Sequence, residues 1–183
     1  MMKLLIKGNP NVLSFLWLPQ NLYLKVSDAG QMLIDNRDLF ATKEVYHSFM
    51  GYARGQMHRM ENLGSTRDLG AKRKELVKKF GYDTKNASHL IRLVRMCFEF
   101  LVDGNLKIQR KDAPELIDIK TGKWTLDQVK KEAQRLFNLV DEAYIKSPLP
   151  PTVDRDVASD LCYKMMCNHF NCDLKDNRSE GTY

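Results

Sequence analysis

The chain has 183 residues, 43% of them hydrophobic and 28% charged, and its formal net charge is +6. This length fits one domain of ordinary size, and the composition excludes a disordered chain. The apolar runs are far shorter than the roughly 20 residues that span a bilayer, and four cysteines without an export signal argue against a disulfide framework, so a soluble, cytoplasmic protein is predicted.

Apolar spacing, caps and breakers predict eight helices in chain order. They cover residues 9–18, 31–39, 42–60, 71–80, 84–103, 113–119, 125–145 and 154–170. Glycines at 81 and 104 stand where helix stops are expected, and Thr125 to Gln128 has the pattern of a capping box. Asp28-Ala29-Gly30 is interpreted as a turn, residues 62–70 as a loop, and residues 22–26 and 106–108 as short extended pieces.

These elements predict a mainly α fold, a single compact helical domain of six to eight helices. The strand signal is too weak for a sheet. The expected organisation is a helical core at 1–146, a proline linker at 147–153, a C-terminal helix at 154–172 that packs back on the core, and a flexible tail at 173–183.

Positive charge is concentrated between residues 71 and 95, where eight Lys or Arg stand against two Asp or Glu. This favours an anionic partner such as a nucleotide or nucleic acid, although a solvated charged face explains it equally well. On the helix from 84 to 103, a turn of 100° per residue places Lys85, His89, Arg92 and either Arg95 or Met96 on one stripe. With the positive helix start beside it, the stripe is a plausible phosphate seat.

A second stripe lies on the helix from 42 to 60, where His47, Gly51, Arg54 and His58 recur at helical spacing. Its glycines, at 51 and 55, weaken the helix relative to alanine and leave room for a backbone or ligand to approach. If both stripes face one cleft, they line it with cations. Ordinary helix amphipathicity also explains each stripe alone.

The C-terminal cysteines invite a zinc interpretation, since Cys162, Cys167, His169 and Cys172 are all zinc-ligand types. However, apolar residues mark a helix through this segment. Cys162 and Cys167 are five positions apart, so a regular helix points them in different directions. The helix interpretation is the stronger one.

Five segments carry a further pattern that covers most of the chain. They are KGNPNVLSFLW at 7–17, FMGYARGQMHRM at 49–60, GYDTKNASHLIRLVRM at 81–96, GKWTLDQV at 122–129 and KSPLPPTVDRDV at 146–157. In these segments and in their order, the chain resembles the RNA-repair-pathway polymerase-β-like predicted nucleotidyltransferases. The third segment is the most specific, although Asn86 stands where the family usually has histidine.

The resemblance implies correspondence to the helical C-terminal part of such an enzyme. Family members begin with a catalytic domain, where a Gly-Ser turn holds phosphates and an Asp-x-Asp binds two divalent metals. That domain would lie before Met1, so we expect no cofactor in this chain itself, and Mg²⁺ and NTP only with a catalytic partner. Gly64-Ser65 lacks the following carboxylate pair, and Asp154 and Asp156 stand at a helix start, where aspartate is a common cap.

In related enzymes the helical part closes over the NTP and contacts its triphosphate. The resemblance therefore implies, as candidate nucleotide- or phosphate-binding residues, Lys85, His89, Arg92, Arg54, His58, Tyr82 and Thr84. The expected partners are nucleotide or RNA and a separate catalytic domain, with no membrane. One alternative is a viral (phage) or mobile-element factor that binds a host protein and inhibits or decoys nucleotide signalling or RNA repair. Another is a free-standing enzyme built on the histidines and Asp154/Asp156.

Overall fold

The computed structural model describes residues 1–61 and 71–170, which form nine α-helices and no strand. The helices are α1 (Met2–Ile6), α2 (Pro10–Leu16), α3 (Asp28–Asp35), α4 (Glu44–Glu61), α5 (Ala71–Phe80), α6 (Thr84–Asp103), α7 (Ala113–Lys120), α8 (Leu126–Lys146) and α9 (Arg155–Phe170). Two 3-10 helices, Gln20–Leu22 and Arg37–Phe40, flank α3. The mainly α prediction is confirmed, and α1 adds to the eight predicted helices. In these two described ranges, no helix combines the length and the apolar character needed to cross a bilayer.

Helix α6 forms the centre of the fold and packs against α4, α7 and α8. Its apolar residues recur at three and four positions, so Leu90, Val94, Cys97 and Leu101 lie on one side and are fully buried. Phe100 extends this core to the N-terminal helices through an edge-to-face contact with Trp17, with ring centroids 5.3 Å apart. The burial of this side leaves the opposite side of α6 for polar residues.

Local signals placed most helix ends correctly. Thr125 and Gln128 form the predicted capping box, with bonds of 3.2 and 2.8 Å between each side chain and the other residue's backbone. Gly104 ends α6 in the left-handed conformation at φ +65°, which glycine adopts without strain. Asp154 caps α9, since its carboxylate accepts from the backbone N–H groups of Asp156 and Val157.

The segment before α4 differs from the prediction. Asp28-Ala29-Gly30 is not a turn but the first turn of α3, because the Ser27 hydroxyl accepts from the Gly30 N–H at 3.2 Å and so caps a helix there. Helix α3 therefore begins three residues earlier than expected and ends at Asp35. In the extended piece predicted at 22–26, Leu22 ends the 3-10 helix Gln20–Leu22 and Tyr23 is extended, at φ −83° and ψ 123°.

The proline segment at 147–153 is fixed to the core by its backbone. The Ser147 hydroxyl donates to the Leu101 carbonyl at 2.6 Å, and the Pro150 carbonyl accepts from the Lys43 N–H at 2.9 Å. Val153 is buried, and α9 then packs against α3. The predicted loop at 62–70 and tail at 173–183 lie outside the described residues.

Two glycines give a matched test of this packing. Gly8 has φ +64°, and a Cβ there would lie 2.8 Å from the backbone N and Cα of Val45. We expect Gly8→Ala to lower the free energy of unfolding by about 1–3 kcal/mol, because a strained φ is combined with a backbone clash. In α4, a Cβ at Gly51 would meet no described atom within 4 Å.

Gly51→Ala should therefore raise the free energy of unfolding by up to about 1 kcal/mol, as alanine favours the helix. Urea unfolding of both variants measures the difference. Equal stability of the two variants would contradict the close approach at Gly8.

Candidate functional site

The start of α6 is capped by a side chain of the chain itself. The Asp83 side chain is buried and accepts hydrogen bonds from the backbone N–H of Asn86 at 3.0 Å and from its side-chain amide at 3.2 Å. This cap satisfies one of the N–H groups that have no partner within the helix. The predicted phosphate seat therefore shares this end of α6 with Asp83, and it stays a prediction.

Tyr82 and Thr84, which precede and begin α6, are inside the protein. Tyr82 is 1% exposed, and its hydroxyl donates to the Trp124 backbone carbonyl at 2.6 Å. Thr84 is fully buried, and its hydroxyl has no hydrogen-bond partner among the described residues. The Tyr82 hydrogen bond attaches the start of α6 to the segment before α8. The roles of Tyr82 and Thr84 in nucleotide binding stay predictions.

Lys85, His89 and Arg92 follow on one side of α6. Lys85 is exposed, and the other two are half-buried. Arg92 Nη2 lies 3.3 Å from His89 Nδ1. A guanidinium can only donate, so Nδ1 accepts, which requires a neutral imidazole with its proton on Nε2.

The pKa values of this group show positive charges held close together. Burial lowers the pKa of His89 below 6.5, and the charges of Arg92, Lys85 and Arg59 lower it further. Burial likewise lowers the pKa of Arg92, and the nearby charge of Arg110 adds to the effect. We call Lys85, His89, Arg92 and Arg59 the α6 cation face.

Arg95, one turn further along α6, provides the contrast. Its guanidinium donates to Asp112 at 2.9 Å, Glu115 at 2.6 Å and Glu132 at 3.1 Å, which ties α6 to α7 and α8. Burial alone would lower its pKa, but these hydrogen bonds outweigh burial and raise it. Arg110 is neutralised in the same way, by Glu99 and Asp112. Arg95 is thus part of the structural framework, and Met96 is buried, so the stripe ends at Arg92.

By contrast, the described part of the chain gives Arg92 no carboxylate partner; its hydrogen bond goes to His89. The difference between Arg92 and Arg95 depends on where α7 and α8 place their acidic residues. On the same helix, therefore, Arg95 is balanced by carboxylates, whereas Arg92 is not balanced by any carboxylate in the described part of the chain.

Helix α4 contributes a different cation from those expected. Arg54 lies beside Tyr46, whose hydroxyl donates to Asp141 of α8 at 2.8 Å, and His58 is exposed. The α4 residue whose charge reaches His89 is Arg59. Sequence reasoning missed Arg59 because it falls outside the stripe of Arg54 and His58, and only the packing of α4 on α6 reveals it. The involvement of Arg54 and His58 stays a prediction.

The described residues hold no cluster of three His, Cys, Asp or Glu side chains suited to a metal ion. In the C-terminal cysteine segment, Cys167 is buried, Cys162 is half-buried and His169 is exposed, as expected for side chains that point in different directions from one helix. Cys172 lies outside the described residues.

Comparison with known families decides the relationship. The model of the RNA repair pathway DNA polymerase beta family, RlaP, matches residues 1–160. The chain belongs to the RlaP family. This confirms the resemblance seen in the sequence segments and relates the chain to the polymerase-β-like nucleotidyltransferases. Comparisons with curated proteins and with solved structures found no significant match.

For an RlaP protein, the α6 cation face falls within the matched residues. Lys85, His89 and Arg92 lie in the segment at 81–96 that carried the resemblance most specifically, and Arg59 lies in the segment at 49–60. Its side chains are hydrogen-bond donors or positive charges. Such groups can bind phosphate oxygens, but they can neither hold Mg²⁺ nor supply a carboxylate base.

Proposed function

We propose that this RlaP protein binds the phosphates of a nucleotide or RNA through the α6 cation face, and that a catalytic partner performs the transfer chemistry. One observation carries the proposal: the Arg92 guanidinium is half-buried, lies 3.3 Å from the neutral His89 ring and is close to further positive charge, without a described carboxylate to balance it. A partly buried cation of this kind usually has an anionic partner.

A bound phosphate would supply that partner. It would relieve the repulsion within the face and accept charge-assisted hydrogen bonds, each worth about 1.5–3 kcal/mol. Lys85 and Arg92 are seven residues apart, which is about 10 Å along a helix. This exceeds the size of one phosphate group and favours a polyphosphate or the backbone of a single strand.

The separate roles proposed for this chain and its catalytic partner follow from the chemistry of the side chains. Nucleotidyl transfer uses carboxylates that hold divalent metals beside the reacting phosphate. The α6 cation face offers ammonium, guanidinium and imidazole groups. We therefore assign Mg²⁺ and the metal-binding carboxylates to the partner, and assign contacts to the phosphates of the nucleotide or RNA to this chain.

The histidines can report on the proposed binding. Oligouridylate is a suitable probe because its phosphodiester groups do not titrate near neutral pH. A phosphate at the α6 cation face should raise the pKa of His89, because a nearby anion favours the protonated ring. Binding then takes up a proton, so affinity should increase as the pH falls from the raised pKa of His89 in the complex towards its lowered pKa in the free protein. Histidine-selective NMR titration, with and without the probe, measures the change.

His47 provides an internal control, since it is exposed and contacts the rings of Tyr46 and Tyr144 instead. Its resonance should stay unchanged while that of His89 moves. Binding without a change at His89, or no binding of oligouridylate or ATP, would contradict the proposal. A stable complex with a host protein in the absence of such binding would support the protein-binding alternative instead.

A further inference from the structure

A groove of about 610 Å³ lies between α2 and α3, beside the end of α6. This volume is within the range of about 300–1,000 Å³ typical of small-molecule sites. Asn105, just after α6, lines the groove, whereas His89 lies near the start of that helix. With a rise of 1.5 Å per residue, the groove is about 20 Å from the α6 cation face, so the two are separate.

The groove has aromatic walls that are held in place. Trp17 is 7% exposed, and its ring is fixed by the edge-to-face contact with Phe100. The Tyr23 hydroxyl donates to the backbone carbonyl of Phe15, which anchors the second ring. Rigid aromatic surfaces bind planar groups at little cost in conformational entropy.

The charge of the groove is one-sided. Lys25 and Arg37 line it, and the described lining residues include no Asp or Glu. Arg37 holds its guanidinium 5.9 Å from the centroid of the Trp17 ring, and no carboxylate partner is described for it or for Lys25. The cations therefore stand directly beside the aromatic wall.

Amide groups complete the lining. Gln20, Gln31 and Asn105 each bring a donor and an acceptor to the groove. The Gln31 side-chain nitrogen donates to Asp35 at 2.8 Å, which orients that amide. An amide held in this way can form hydrogen bonds with the polar edge of a heterocycle.

We propose that this groove binds a small aromatic anion of the mononucleotide class. Its ring would lie against Tyr23 and the small exposed part of Trp17, and its phosphate would contact Lys25 and Arg37. The proposal does not rest on the α6 cation face, since different residues form the groove.

The two tryptophans of the chain allow a direct test with adenosine 5′-monophosphate as the probe. In an NMR titration, the indole N–H resonance of Trp17 should shift and saturate, while that of Trp124 should stay in place. Adenosine and inorganic phosphate should each bind at least tenfold more weakly than the probe.

Lys25→Ala and Arg37→Gln should each weaken binding of the probe, followed at Trp17, at least fivefold. The double variant Lys123→Ala/Lys146→Ala, which removes two exposed lysines outside the groove lining, should bind it as the unmodified chain does. Lys25 is exposed, so its replacement leaves the fold intact even if Arg37→Gln disturbs Trp17. An unmoved Trp17 resonance, unchanged affinity in Lys25→Ala, or equal binding of inorganic phosphate would overturn the proposal.

Discussion

Replacing both Lys85 and Arg92 by alanine is expected to weaken oligouridylate binding roughly a hundredfold. Each lost charge-assisted contact to phosphate removes about 1.5–3 kcal/mol, and exposed Lys85 belongs at the low end of that range. The salt dependence should also change, because each lost phosphate contact makes the slope of log affinity against log salt shallower by about 0.7 for a single strand. Fluorescence anisotropy at several salt concentrations measures both quantities.

The matched control also removes two positive charges, but from residues outside the α6 cation face. Lys123 and Lys146 are exposed and pair with Asp118 and Glu142. Exposed pairs of this kind contribute little to stability. The double variant Lys123→Ala/Lys146→Ala should therefore lose no more than a few-fold in affinity. Equal losses in the two double variants would show that only net charge matters and would remove the α6 cation face as a site.

Arg95→Ala should lower the free energy of unfolding by about 2–3 kcal/mol. Removal of one member of a buried ion pair has a large effect because the remaining charges lose their partner. The expected loss of stability is small for a substitution of this kind. Asp112 still pairs with Arg110 in the variant, Glu132 still pairs with Arg135, and Glu115 is partly exposed. Urea unfolding measures it, with Arg92→Ala as the control on the same helix.

Arg92→Ala should leave stability within about 1 kcal/mol of the unmodified chain or raise it, since it removes a half-buried charge that has no described carboxylate partner. The two variants thus distinguish the structural role of Arg95 from the binding role proposed for Arg92. Equal destabilisation by both substitutions would mean that Arg92 also holds the fold together.

The pH dependence of the Arg95 effect has a definite sign. Burial alone would raise the pKa of Asp112, but the hydrogen bonds from Arg110 and Arg95 outweigh burial and hold it at about 2. A depressed pKa in the folded state contributes stability above the ordinary value of 3.8, and this contribution is lost as the pH falls towards 2. The difference in stability between the unmodified chain and Arg95→Ala should therefore shrink over this interval. A stability difference between the unmodified chain and Arg95→Ala that grows as the pH falls would contradict the ion pair between Arg95 and Asp112.

Much of the helical architecture follows from signals that act within a few residues. The capping box at Thr125, the left-handed Gly104 and the apolar spacing of α6 each involve groups no more than four positions apart, so one sequence is enough to place them. The same reasoning failed at Ser27, where a serine cap and a turn-forming Asp-Ala-Gly compete. Only the completed helix shows which of them prevails.

The sequence by itself determined the mainly α fold, the concentration of cations on α6 and the family resemblance. Tertiary structure alone decided which of these cations have a carboxylate partner in the described part of the chain. Arg92 and Arg95 are indistinguishable by type and local setting, but the carboxylates that neutralise Arg95 come from 17 to 37 positions further along the chain. The addition of Arg59 to the surface likewise required the packing of α4 on α6. Helix formation depends on near neighbours, whereas the balance of charge depends on residues that only folding brings together.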